Sequence, residues 1–128
     1  MSYYASKKVE GEFNQVIEKV KEELQKEGFG VLSDIDVKAT MKKKLDVDFR
    51  NYRILGACNP PNAYKALTAE PNIGLLLPCN VVVQETNKNK IDVSAVDAEA
   101  SLDIAKNPDL KEVASFIKGK LEKVINNL

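Results

Sequence analysis

The chain has 128 residues, with 19 Lys plus Arg against 19 Asp plus Glu, so its formal net charge is zero. It contains no histidine, which removes Ser-His-Asp and Cys-His catalysis, HExxH metalloprotease centres, His-containing zinc fingers and every histidine-based proton shuttle. With 44% hydrophobic and 30% charged residues, the chain is expected to fold as a single globular domain spanning 1–128.

Residues 3–9 alternate weakly around Tyr3, Tyr4 and Val9 and read as a first strand. Phe13, Val16, Ile17, Val20 and Leu24 then lie on one helical face, predicting an amphipathic helix over 11–27 with Gly28 as its stop. Gly30 to Val37 is rich in β-branched residues and reads as a strand, and Lys38 to Leu45 as a short helix. The next strand is expected from Phe49 to Ala57, followed by a helix start at Asn59-Pro60, an Asn cap with proline at the first helical position. That helix should stop before Pro71.

Ile73–Thr86 and Ile91–Val96 read as a hairpin closed by a four-residue connection, Asn87 to Lys90. Pro78 falls inside the first of these strands and should mark an edge or a bulge, because it cannot donate a ladder hydrogen bond. Asp97 caps a short helix through Leu102 and Ile104. Pro108 opens a last helix in which Leu110, Val113, Ala114, Ile117, Leu121, Val124 and Leu128 keep a 3.6 period. Gly119 within it should allow close packing or face solvent. The expected class is α+β, a mainly antiparallel sheet that two long helices must cover.

Four motifs occur in order: Glu27-Gly28-Phe29-Gly30-Val31-Leu32, Ile35-Asp36-Val37-Lys38-Ala39-Thr40, Tyr52 through Pro60, and Leu76-Leu77-Pro78-Cys79-Asn80-Val81-Val82-Val83. Together they resemble the family called domain of unknown function 302, over nearly the whole chain. The resemblance implies a fold and no particular activity. The implied fold is that of the TATA-box-binding protein, a curved antiparallel sheet with two long helices on one face in the order β-α-β(4)-α, and it implies a homodimer.

Cys58 is the sharpest candidate for chemistry, because it directly precedes the Asn59-Pro60 helix start, where the first amides favour an anion. Cys79 follows in a second Cys-Asn pair. A redox dithiol, a two-thiolate soft-metal site or a thiol attacking a small electrophile are the functional readings. The simpler one is two buried small hydrophobes. Asn59, Asn62 and Asn80 offer amides to a polar ligand, or else serve as a helix cap and as partners for backbone groups near Pro78. Asp34 and Asp36 alternate on one strand face with Lys38 beyond them, a pattern for acid-base work or a hard cation, and more simply for a solvated face.

Lys42-Lys43-Lys44 is the only basic run, and with a pI near 6.3 no nucleic-acid partner is expected. No phosphate-cradling glycine motif occurs, so no nucleotide and no cofactor is expected. Met1 to Lys8 has no apolar run behind its charges, and Ile73–Val83 reaches about half the length of a membrane span, so a cytoplasmic chain without a membrane partner is expected. Ile73–Val83 is apolar on both strand faces, which suggests a subunit interface on the uncovered side of the sheet. The candidate ligand-binding residues are Cys58, Asn59, Pro60, Cys79, Asn80 and Asp36. The expected function is a homodimeric module that binds a small ligand or a partner near the two Cys-Asn motifs, with the thiol-dependent redox or soft-metal protein as the alternative.

Overall fold

In the computed structural model, which describes residues 2–128, five strands run as β1 (Tyr4–Glu10), β2 (Gly30–Asp36), β3 (Tyr52–Cys58), β4 (Cys79–Asn87) and β5 (Lys90–Val96). The helices are α1 (Phe13–Lys26), α2 (Val37–Leu45), α3 (Pro60–Ala69), α4 (Ala98–Leu102) and α5 (Lys111–Asn126). Short 3-10 turns cover Pro71–Leu76, Asp103–Ala105 and Pro108–Leu110. The strands form one sheet in the order β1-β5-β4-β3-β2, and every neighbouring pair is antiparallel. The chain is therefore α+β with a five-stranded antiparallel sheet.

β1 and β2 are consecutive in sequence yet occupy the two edges, so the single element between them, α1, has to cross the sheet. Its periodic residues Phe13, Val16, Ile17, Val20 and Leu24 are all buried. So are Val113, Ala114, Ile117, Leu121 and Val124 of α5. Both helices join one apolar cluster with the alternate strand residues Leu55, Ala57, Val81, Val83, Ile91, Val93 and Ala95. Each large side chain in that cluster contributes roughly 1.5–3 kcal/mol by leaving water.

α1 ends as its glycine predicts. Gly28 sits at φ +85°, its amide donates to the Gln25 carbonyl at 3.1 Å, and the Phe29 amide donates to Leu24 at 2.9 Å. This double bond turns Phe29 back into the core (3% exposed), where it becomes one wall of a cavity at the end of the sheet.

Four expectations need correction. Ile73 to Leu77 is not strand: Pro71–Leu76 is a 3-10 turn that buries Ile73 and leaves Leu75 87% exposed. A short apolar run carries no period that tells strand from turn, and Pro71 and Gly74 favour the turn. Pro78, joined to Leu77 by a cis peptide, lies ahead of β4 instead of within it, and β4 is the central strand of the sheet. The β3 strand starts at Tyr52, three residues later than expected. The hairpin closes on two residues, Lys88 and Asn89, with Asn89 in the left-handed region at φ 60° and its amide held by Glu85 Oε2 at 2.9 Å. Gly119 lies on the solvent side of α5, with open space where an added Cβ would stand.

Among the described residues, the core-forming helices α1 and α5 lie off the opposite face of the sheet, and α2, which touches β3, buries no residue. Alternation places Tyr4, Ser6 and Lys8 of β1, Asp92 and Ser94 of β5, Val82 and Gln84 of β4, and Tyr52 and Ile54 of β3 on that face.

Candidate ligand cavity at the end of the sheet

The C-terminal end of β3 meets the N-terminal end of β4 with Ala57 opposite Cys79 and Gly56 opposite Asn80. β3 passes directly into α3: Asn59 is the helix cap, its Oδ1 accepting the Asn62 amide at 3.3 Å and Asn62 Nδ2 at 2.8 Å, with Pro60 and Pro61 opening the first turn. α3 leads into the 3-10 turn, and the chain returns through Leu77 and Pro78 to β4.

These segments enclose a cavity of about 230 Å³. Its walls are Phe29, Leu32, Ala57, Ala63, Ala66 and Leu67, completed by Gly74, Leu77, Pro78 and by Ile117 from α5. The polar side chains along it are the amide of Asn59 and the thiols of Cys58 and Cys79, and no charged side chain lines it.

Three of the six candidate residues thus share one cavity, namely Cys58, Asn59 and Cys79. Pro60 begins α3 beside Asn59 without lining the space. Asn80 is exposed, and strand alternation turns it to the face opposite Cys79, where it lines a shallow trough on the uncovered side of the sheet with Tyr4, Tyr52 and Ser94. Asp36 caps α2 through its Oδ1, which accepts the Ala39 amide at 2.9 Å. It lies at the other end of β2, six residues from the Gly30 that pairs with Cys58, which is about 20 Å of strand. Asp34 is held by Arg53 in a two-pronged pair at 2.7 and 2.5 Å and by Lys21 at 3.3 Å, so it is an ion-pair member joining α1 to the β2–β3 edge.

The two thiols differ. Cys79 is buried, and desolvation, with the nearby Cys58 adding to it, pushes its pKa up to about 11. A thiol held neutral is a poor nucleophile and a poor metal ligand. Cys58 is half-buried, and since Ala57 is the residue opposite Cys79, Cys58 leaves β3 out of phase with it. Both cysteines are free. Among the described residues no group of three or more Cys, Asp or Glu side chains is placed to hold a metal ion.

The apolar walls escaped the sequence reading. Phe29 and Ile117 read there only as a residue after a helix stop and as core periodicity. Nothing in their spacing brings them to Cys58. Leu32 is displaced by a register shift between Val31 and Ser33, a bulge that the sequence did not announce. A larger groove between α4 and α5, about 790 Å³, is lined by charges that already pair with one another, Lys118 with Asp97 and Glu99 at 3.2 Å and Lys106 with Asp103 at 2.7 Å.

The motifs that surround this cavity, and every element but the first residue of β1, fall inside a family match: the family described as Domain of unknown function DUF302 matches residues 5–128. The chain belongs to that family. A solved DUF302 relative, an uncharacterized conserved protein from Bacillus stearothermophilus, is 29% identical, and the match covers 98% of each chain with a TM-score of 0.90. No curated protein matches the chain. No helix among the described residues is long and apolar enough to cross a membrane.

Proposed function

We propose that this DUF302 chain is a small-ligand-binding module that works as a homodimer, with its ligand seated in the cavity beside Cys58, Asn59 and Cys79. The observation that carries the reading is a 230 Å³ space with apolar walls from several separate segments and no charged lining. Binding sites for small molecules have this character, a mostly apolar concavity with a few placed polar groups. Ala63→Phe is the direct test. It fills the space from α3, and the rise in melting temperature that an apolar fragment such as acetophenone produces in the wild type should vanish in the variant. A rise of equal size in both proteins would sink the reading.

The dimer in this reading uses the uncovered face of the sheet. Five strands about 4.8 Å apart, four of them seven residues long and β4 nine, give a footprint of at least roughly 24 by 23 Å, so two apposed faces clear the roughly 1,000 Å² that a specific interface needs. Tyr3, Tyr4 and Tyr52 line that face, and tyrosine is a favoured interface residue. The strand and helix order, with α1 and α5 on one face, supports grouping the fold with the TATA-box-binding protein. A pI near 6.3 speaks against a nucleic-acid partner. The two free cysteines favour the cytoplasm, where thiols stay reduced.

A further inference from the structure

We infer that the cavity selects a neutral apolar molecule carrying one hydrogen-bond acceptor, a carbonyl or ether oxygen, which receives the side-chain amide N–H of Asn59. This rests on the ligand-binding reading above and adds the chemical class of the ligand.

Size comes first. An apolar protein cavity of about 150 Å³ holds a benzene ring, so 230 Å³ accommodates one substituted ring or a branched chain of roughly eight to ten heavy atoms. Charge comes second. No Lys, Arg, Asp or Glu lines the space, and an ion moved there would lose its hydration with nothing to replace it. Cys79, the one titratable group buried at the wall, stays a neutral thiol at physiological pH. A charged ligand is therefore excluded.

Polarity is decided by Asn59. An amide side chain offers one acceptor oxygen and one NH₂ donor group. The oxygen is occupied twice, by the Asn62 amide and by Asn62 Nδ2. Among the described residues Nδ2 donates to nothing, and it rests against Gly28, 3.1 Å from where a Cβ would stand. Gly28 is required there on two counts: its positive φ ends α1, and its missing side chain leaves room for the Asn59 amide. Asn59 lines the cavity, and with its oxygen filled the hydrogen-bonding capacity it has left is the Nδ2 donor, so the matching ligand supplies an acceptor.

Two probes of nearly equal shape separate the possibilities: acetophenone, with a carbonyl, and ethylbenzene, without one. Their affinities would be measured by ligand-detected NMR for the wild type, Asn59→Asp, Asn59→Ser and Ala63→Phe. The wild type should bind acetophenone about five- to tenfold more tightly than ethylbenzene, the difference one neutral hydrogen bond makes. Asp and Ser keep a side-chain oxygen for the helix cap; Asp has no donor and the shorter Ser hydroxyl cannot reach where Nδ2 stands, so in both the preference should fall to about one while ethylbenzene still binds. Ala63→Phe should lose both probes. Equal affinity for the two probes in the wild type, or a preference that survives in Asn59→Asp and Asn59→Ser, overturns the role of Asn59 and leaves the ligand-binding reading standing. Failure of both probes to bind the wild type overturns the ligand-binding reading itself.

Discussion

Gly56 shows how closely the backbone is packed where the cavity begins. A Cβ on it would meet Ser33 Oγ inside contact distance and Pro78 Cγ at 2.7 Å. The proline ring cannot rotate away, so Gly56→Ala should lower unfolding free energy by about 1–3 kcal/mol, the usual cost of forcing a methyl into a filled site. Urea denaturation checks this, and an unchanged midpoint would show that the β3 end yields easily. A buried thiol with a pKa near 11, as Cys79 has, holds almost no thiolate at pH 8. An aromatic disulfide reagent should therefore leave Cys79 unmodified in the folded wild type and react with it fully in guanidinium. Rapid labelling of Cys79 in the native state would contradict its burial.

Among the elements, those with a repeating pattern were legible and those without one were not. The helical face of α1, its glycine stop, the Asn59-Pro60 start of α3 and the alternation of Ile91, Val93 and Ala95 each follow from a local rule, and each is found. The apolar run at Pro71–Leu76 carries no period, and the bulge at Leu32 depends on what packs against it, so neither was read correctly. The cavity shares that fate: its Cys-Asn motifs were visible, while Phe29, Leu32 and Ile117 reach it only through the tertiary fold. Asp34 was readable as a charge and unreadable as a link between elements. It ties β2 to β3 through Arg53 and to α1 through Lys21. The Arg53 hydrogen bond, ahead of a partly opposing desolvation and the Lys21 contact, holds its pKa below the ordinary 3.8. A carboxylate with a depressed folded pKa adds stability that is present above its unfolded pKa and disappears as pH falls through the folded one. Asp34→Asn should therefore be less stable than the wild type by about 1 kcal/mol at pH 7, as a partly exposed two-pronged pair allows. That gap should close as pH drops below about 4, the ordinary aspartate range. Chemical denaturation at neutral pH and again well below that range measures it, and a gap that persists in acid would assign the effect to packing instead of charge.

For the whole molecule, topology separates two surfaces. α1 and α5 cover one side of the sheet, and the cavity opens at the sheet end on the α3 side, whereas the opposite side is left uncovered. In our reading the uncovered side meets a second copy. Sedimentation should give twice the chain mass of 14.2 kDa. Val82→Glu, at the centre of that face on β4, should return the mass to one chain with its circular dichroism unchanged. A wild-type mass of one chain at micromolar concentration would remove the dimer and leave the cavity untouched.

The cavity is the central claim, and methyl NMR during a titration with acetophenone tests it most directly. Saturable shifts should concentrate on Ala63, Ala66, Leu67, Leu77 and Ile117, with Val82 and Ile54 on the opposite face unmoved. Shifts confined to Val82 and Ile54, or no saturable shift at any methyl, would contradict it.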